Sequence, residues 1–200
     1  MTTVPSSSRR NYLADVRPHS KLVDAALVLS GTALIVLAAL VTIPLPFTPV
    51  PVTMSTLAVM AVGAVLGSGR GAISAALYLV IGAAGAPVFA SGHSGVALPT
   101  FGYIVGFVVA AAVVGQLARR RADRHVLTTV LLGAFGTIVI YAFGVPWLAI
   151  SLGVSVQQAI LLGVVPFLIG DALKIIVLAG LLPTLWRAVQ AFPVDAGGDR

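Results

Sequence analysis

Long apolar stretches, almost free of charged residues, constrain the fold of this chain more than any other feature of its sequence. Charged residues make up 9% of the chain, whereas a soluble domain has about 25%, so a water-facing surface cannot be covered. A helix needs about 20 apolar residues to cross a bilayer. The stretches cover residues 22–43, 53–67, 71–86, 100–118, 126–146 and 166–185. They predict an all-α polytopic membrane protein with six transmembrane helices, the second and third of them short.

The positions of Lys and Arg predict how these helices are oriented. If the N-terminus lies inside, every Lys and Arg except Lys174 falls in an inner segment, as the positive-inside rule requires. The inner segments are 1–21, 67–71, 119–125 and 186–200. We therefore expect a membrane domain over residues 22–185. It lies between two cytoplasmic tails, a disordered tail at 1–21 and a second one at 186–200.

Residue types that the sequence lacks exclude several classes of function. The chain has no cysteine, which rules out disulfides, thiolate metal sites and a cysteine nucleophile. Neither lysine follows a glycine, so the phosphate-binding loop of many ATPases is missing. A net charge of +6 would suggest nucleic acid in a soluble domain, but here it reflects the inner segments. We expect no enzyme activity, cofactor, metal or nucleic-acid partner.

The motif GDALK, residues 170–174, is the sharpest chemical signal. Asp171 and Lys174 lie well inside a predicted span, where a charge costs at least about 2.5–3.5 kcal/mol. At a spacing of three residues they share one helix face and can pair. If the helix begins near Pro166, they lie roughly 7–12 Å below the outer surface. This position favours a ligand-binding pair reached from outside, with a structural ion pair and a proton relay as alternatives.

A Gly- and Ser-rich outer loop, SGHSG at residues 91–95, leads into the fourth predicted helix. Glycines let backbone N–H groups turn toward a ligand, and the N-terminus of a helix favours an anion. A carboxylate is therefore expected near Thr100, unless Thr100 simply caps its own helix. Gly102, Gly106 and Ala110 repeat on one face and predict close helix packing.

The outer side of the membrane is predicted to carry further features. The segment IPLPFTPVPVT, residues 43–53, cannot be helical because its prolines lack the backbone N–H. A short helix is predicted over 155–164, where Ser155 and Gln158 resemble a capping box. Aromatic residues near the outer ends either line an apolar cavity or pack at the interface. They are Phe47, Phe89, Phe101, Tyr103, Tyr141 and Phe143.

Four stretches of the sequence resemble the BioY family. They are IPLPFTPVPVTM, GAVLGSGRGAISAALYLVIGAAGAPVFASG, PTFGYIVGF and GVVPFLIGDALK, and they occur in order between residues 22 and 185. BioY proteins are the substrate-binding S components of energy-coupling-factor biotin transporters. The resemblance implies a six-helix bundle in the plasma membrane that holds biotin near its outer surface. It also implies partners, namely a transmembrane coupling protein and two cytoplasmic ATPases.

The resemblance also implies roles for individual residues. Asp171 would accept the ureido N–H of biotin, and Lys174 would donate to a ligand oxygen. The other end would meet Thr100 to Tyr103, and Lys174, His93 or backbone N–H groups would bind the carboxylate because no outer arginine exists. The proline-rich loop would act as a lid, with a plain connector as the alternative. The expected substrate-binding residues are Asp171, Lys174, Thr100, Tyr103, Phe47, Phe89, Tyr141 and His93. The alternatives are an S component for another small vitamin and a structural membrane protein without a ligand.

Overall fold

The computed structural model describes residues 12–15 and 20–191, and helices dominate this part of the chain. They are α1 (Lys21–Leu40), α2 (Ser55–Leu66), α3 (Ser68–Ala83), α4 (Phe101–Arg119), α5 (Val126–Leu152), α6 (Val156–Gly163) and α7 (Leu168–Ala191). Short 3₁₀ turns cover Ala90–Gly92 and Val165–Phe167. Two strands, β1 (Thr42–Ile43) and β2 (Val52–Thr53), pair in antiparallel fashion. The predicted all-α class is confirmed.

The helix lengths fit a membrane protein with unequal spans. Among the described residues, four helical segments are long and apolar enough to cross a bilayer: α1, α4, α5 and the continuous run from α6 through α7. Helices α2 and α3 are shorter, as the sequence predicts. Helix α5 continues past Pro146 to Leu152, beyond its predicted end, because one proline removes only one intrahelical hydrogen bond. Gly153, with φ 68° in the left-handed region, ends it instead.

A proline separates α6 from α7. The predicted short helix is confirmed, since Ser155 Oγ accepts a hydrogen bond from Gln158 N at 3.2 Å at the start of α6. Pro166 then lies in the 3₁₀ turn and cannot continue the hydrogen-bond ladder of α6. Helix α7 begins afresh at Leu168. The break therefore sets where α7 starts, and so the depth of Asp171 in the bundle.

The proline-rich segment forms a loop over one end of the bundle. Strands β1 and β2 join its two ends, and we call residues 44–51 the hairpin loop. Thr48 Oγ1 donates a hydrogen bond to Leu162 O of α6 at 2.7 Å and accepts one from Val50 N at 3.2 Å. The segment is not helical, as predicted, and it is tied to α6 through Thr48.

Helix α4 is the central helix and packs against α2, α3 and α5. Small residues allow these close approaches. A Cβ added at Gly63 of α2 would lie 2.6 Å from the carbonyl oxygen of Ala111. On the face of α4 that meets α5, a Cβ added at Gly106 would lie 3.0 Å from Cα of Ile140. A Cβ added at Gly102 would also contact α5. The close packing predicted for Gly102 and Gly106 is therefore confirmed, and its partner is α5.

The end of the bundle away from the hairpin loop carries most of the described basic side chains, and we call it the basic end. Arg70 of α3 lies 3.4 Å from Asp15 and 3.0 Å from Asp24 of α1. Leu13 is buried in an apolar cluster with α2, α4, α5 and α7. Residues 12–15 thus pack on the bundle, unlike the predicted disordered tail, because Leu13 covers that cluster. Predictions for residues 1–11, 16–19 and 192–200, including Arg9, Arg10, Arg17 and Arg200, lie outside the described residues.

Replacing Gly63 with alanine should lower the thermal stability of the protein. The new methyl group would meet the backbone of Ala111, and overpacking of this kind costs about 1–3 kcal/mol, which corresponds to roughly 2–10 °C in Tm. Thermal unfolding of the purified chain in detergent measures the effect. Gly180→Ala on α7 is the matched control, because a Cβ there has no neighbour within 4 Å. Equal Tm values for the two variants would contradict the close approach of α2 to α4.

Candidate functional site

A cavity lies beneath the hairpin loop, opposite the basic end. Together with the solvent in its open mouth it encloses about 670 Å³ of space that is free of protein atoms. Most of its lining is apolar or aromatic. We call it the central cavity, and its lining residues are Val50, Pro51, Thr53, Ser55, Thr56, Tyr78, Ala90, Thr100, Tyr103, Ile104, Phe107, Thr137, Ile140, Tyr141, Gly163, Phe167, Asp171 and Lys174.

Two buried charges line the central cavity from the first half of α7. Asp171 and Lys174 are each 7% exposed, and Lys174 Nζ lies 3.1 Å from Asp171 Oδ1. The predicted pairing on one helix face is confirmed. Both side chains turn into the bundle, where contact between opposite charges reduces the cost of keeping each one out of water.

Two hydroxyl groups complete a polar network around this pair. Tyr141 of α5 donates its O–H to Asp171 Oδ2, and Lys174 Nζ donates to Thr56 Oγ1 of α2 at 3.0 Å. An ammonium group has three N–H donors, and a carboxylate has about four acceptor positions. Within the network, Lys174 uses two of its N–H donors and Asp171 uses two of its acceptor positions. One donor of Lys174 and further acceptor positions of Asp171 are therefore left for a ligand.

Aromatic rings form much of the remaining lining. The Tyr103 hydroxyl donates to Gly163 O at 3.0 Å, which fixes its ring between α4 and the end of α6. Tyr103 meets Tyr141 edge to face, with ring centroids 6.3 Å apart. Phe107 stacks on Tyr78 with centroids 6.4 Å apart. These rings provide rigid apolar surfaces against which a flat apolar group can pack.

A second hollow adjoins the central cavity on the side of the hairpin loop, and we call it the outer hollow. Its lining residues are Pro44, Leu45, Thr48, Pro49, Pro51, Phe89, Ala90, Ser91, His93, Leu98, Pro99 and Thr100. Pro51, Ala90 and Thr100 line both spaces. A ligand longer than the central cavity can therefore extend into the outer hollow.

The structure brings together most of the residues that the sequence singles out. The residues in the central cavity are Asp171, Lys174, Tyr103 and Tyr141. Phe89 and His93 line the outer hollow instead, and Thr100 lines both spaces. Phe47 lines neither of these two spaces and is 62% exposed, because the hairpin loop presents this side chain on its outer surface. Binding of a ligand by any of these residues stays a prediction.

The loop before α4 is folded into tight turns. Gly92 and Gly95 have φ of 72° and 88°, in the left-handed region that glycine tolerates without strain. His93 Nδ1 lies 2.9 Å from Ala90 O, so the imidazole is held close to its own loop. Thr100 makes no side-chain hydrogen bond that caps α4. The alternative in which Thr100 caps its own helix is therefore not seen.

Sequence reasoning missed Thr56, which contacts the buried charges directly. Its hydroxyl meets Lys174 because α2 and α7 pack together, although 118 residues separate the two positions. Threonine is an ordinary residue in a membrane helix, so its type carries no signal. Its position directly after the proline-rich segment was the available hint. Tyr78 and Phe107 were missed for the same reason, since each resembles a core residue.

Comparisons with known proteins identify related sequences. The sequence model of the BioY family matches residues 10–191. A protein named biotin transporter BioY from Rhizobium etli is 36% identical over 172 residues, which cover 81% of this chain and 89% of that protein. A protein of the same name from Thermotoga maritima is 38% identical over 151 residues, which cover 74% and 86% of the two chains.

A solved structure shares the fold. It is the crystal structure of the S-component for biotin from an ECF-type ABC transporter, with a TM-score of 0.74 and 23% sequence identity. The match covers 84% of this chain and 92% of that one. With its long apolar helices and these relatives, the chain is a multi-pass protein of the cell membrane. The family model spans most of this chain, and both relatives are more than 30% identical to it over most of their own length. The chain therefore belongs to the BioY family.

Proposed function

We propose that this chain captures biotin at the outer side of the membrane as the S component of an energy-coupling-factor transporter. The names of its relatives and of its structural neighbour support this assignment. The observation in this chain that carries the proposal is the buried pair Asp171 and Lys174 beside an aromatic cavity. Buried ion pairs seldom stabilise a fold, and charges inside membrane proteins usually mark a functional site.

The polar network matches the ureido group of biotin, which has two N–H donors and one carbonyl acceptor. Asp171 accepts a ureido N–H, and Lys174 donates its remaining N–H to the ureido oxygen. Thr56 and Tyr141 hold the two charged side chains in position. Each buried hydrogen bond to a charged group contributes about 1.5–3 kcal/mol. A molecule without matching groups leaves desolvated charges unsatisfied and binds poorly.

The apolar rings of biotin pack against the aromatic lining, and the acidic tail extends into the outer hollow. Tyr103 is already fixed by its bond to Gly163, so binding does not have to order it. Among the residues that the structure describes, no Lys or Arg lines the outer hollow. The carboxylate there meets Thr100, His93 or backbone N–H groups and keeps part of its hydration, which avoids the cost of burying an ion.

The hairpin loop acts as the lid of this site. Val50 and Pro51 line the central cavity from above, and Thr48 ties the loop to α6. Proline restricts φ before the ligand arrives, so little conformational entropy is lost when the loop closes. A stiff apolar lid also excludes water from the charged network, which strengthens its hydrogen bonds.

The basic end faces the cytoplasm in this proposal, and both termini lie there. The chain then crosses the membrane six times. Helices α1 to α5 each cross once, and α6 and α7 together make the sixth crossing. The chain has no phosphate-binding loop, so ATP is hydrolysed by partners. These partners are a transmembrane coupling protein and cytoplasmic ATPases.

The Asp171→Asn variant should bind biotin about 10–100-fold more weakly than the parent chain. The amide is the same size as the carboxylate but loses a charged hydrogen-bond acceptor, a difference of about 1.5–3 kcal/mol. Isothermal titration of the purified chain in detergent measures the affinity. Thermal unfolding of the same samples separates lost affinity from lost folding. A parent chain that binds another small vitamin and not biotin would overturn the proposed substrate.

Thr56→Val and Thr184→Val provide a matched pair for the same titration. Each replaces a hydroxyl group with a methyl group. Thr56 accepts a bond from Lys174, whereas Thr184 is exposed and donates to Gly180 O of its own helix at 2.6 Å. We expect Thr56→Val to lose about 3–10-fold in affinity and Thr184→Val to match the parent. Parent-like binding by both Asp171→Asn and Thr56→Val would show that the ureido group binds elsewhere.

Chemical changes to the ligand distinguish its two ends. Biotin methylated on a ureido nitrogen should bind at least about 10-fold more weakly than biotin, because a buried carboxylate then loses its donor. The methyl ester of biotin should lose less, because its tail lies in the partly open outer hollow. Competition against labelled biotin gives both values. The opposite order of losses would place the carboxylate, not the ureido group, beside Lys174.

Partner subunits should co-purify with the tagged chain from its own membrane. Mass spectrometry of the purified sample should find a transmembrane coupling protein and ATPase subunits at near-equal abundance to each other. The same purification in the presence of EDTA and high salt serves as the stringency control. Recovery of the chain with bound biotin but without any ATPase would contradict the proposed complex while leaving biotin binding intact.

A further inference from the structure

The junction between α4 and α5 carries the sequence RRRADR at residues 119–124. Arg124 is turned inward, with its guanidinium 4.0 Å from the ring centre of Trp186. Arg119, Arg120 and Arg121 are exposed. No ion pair connects these three to an acidic side chain in the described part of the chain. We call residues 119–121 the arginine cluster.

Arg121 adopts a backbone conformation that arginine disfavours. Helix α4 ends in a motif in which Arg121 N bonds Ala118 O at 2.7 Å and Ala122 N bonds Leu117 O at 3.2 Å. Glycine usually occupies the left-handed position of this motif. Here Arg121 occupies it with φ 67°, where its Cβ crowds the backbone. The need to end the helix therefore does not account for arginine at this position, because glycine would end it with less strain. Strain that a protein retains in this way points to a function.

The loop that presents the arginine cluster is fixed to the bundle. Asp123 is fully buried, and its Oδ2 accepts a hydrogen bond from Trp186 Nε1 on α7. Burial raises the pKa of Asp123 above its usual range. Thr129 of α5 donates to Ala122 O at 3.4 Å. Because the loop is already ordered, a ligand of the cluster does not have to order it.

Exposed apolar side chains place the arginine cluster at the edge of the hydrocarbon layer. Arg119 is the last residue of a helix long and apolar enough to span a membrane. Val126 and Leu127, at the start of α5, are 55% and 72% exposed. Exposed apolar side chains such as these gain free energy when lipid replaces water around them. With α4 spanning the bilayer, the cluster would lie at the level of the lipid phosphates.

We propose that Arg119, Arg120 and Arg121 bind the phosphate of anionic lipid headgroups at the basic end of the bundle. A guanidinium presents a planar fork of donors that matches phosphate oxygens. Clusters of basic residues next to a membrane span attract anionic lipids. An acidic protein surface would satisfy the same charges, but the adjoining Val126 and Leu127 favour a lipid.

Reconstitution of the full chain into two kinds of vesicle tests this inference. One contains phosphatidylcholine alone, and the other contains phosphatidylcholine with phosphatidylglycerol. The Tm of the parent chain should rise in the second, and the Arg119→Gln, Arg120→Gln, Arg121→Gln triple variant should lose most of that rise. Native mass spectrometry should show phosphatidylglycerol retained by the triple variant at least about 10-fold more weakly. Biotin affinity should not change, so this test is independent of the proposed transport function.

Two further variants separate the charge from the fold. Arg187→Gln removes one charge from the same end of the bundle outside the arginine cluster, and it should keep the effect of phosphatidylglycerol. Arg121→Gly relieves the left-handed strain, so its Tm in phosphatidylcholine alone should rise by about 2–4 °C. Its additional rise with phosphatidylglycerol should be smaller than that of the parent.

Three results would overturn the inference. The triple variant would keep the full effect of phosphatidylglycerol if the lipid acted elsewhere. Inorganic phosphate added to phosphatidylcholine vesicles would reproduce the rise in Tm if the cluster bound free anions. Loss of coupling subunits by the triple variant, with an unchanged lipid effect, would assign the cluster to a protein partner.

Discussion

Charge held inside a membrane is the constraint on which the rest of this site depends. Asp171 and Lys174 remain in the bundle because each neutralises the other and because Tyr141 and Thr56 supply hydrogen bonds that water would otherwise make. The four side chains come from α2, α5 and α7. The network therefore also holds these three helices in one mutual register, since a shift of any of them would leave a desolvated charge without a partner.

The same bundle is open at one end and filled at the other. Near the basic end, one apolar cluster includes Leu13, Leu178, Leu182 and Trp186. Near the hairpin loop, proline-rich and glycine-rich loops replace helix, and two adjoining spaces remain between them. Helix α4 carries small residues such as Gly106, which let its neighbours approach closely.

Periodic and chemical patterns in the sequence predicted the structural features that depend on interactions between residues close together in the chain. The apolar stretches predicted the helices, the prolines predicted a non-helical segment over residues 43–53, and the spacing of Asp171 and Lys174 predicted their pairing. What depends on distant packing was not predictable. Thr56 contacts Lys174 only because two distant helices meet, and Leu13 is buried only because four helices leave a space for it. Phe47 shows the converse limit, since loop composition does not determine the direction of a side chain.

The tether at Thr48 has a consequence for timing. It joins the hairpin loop to α6, and α6 continues through the turn at Pro166 into the helix that carries Asp171. The bond is already formed in this structure, so a molecule that passes the loop in either direction has to wait for the bond to break. The tether therefore slows arrival at the central cavity as well as departure from it.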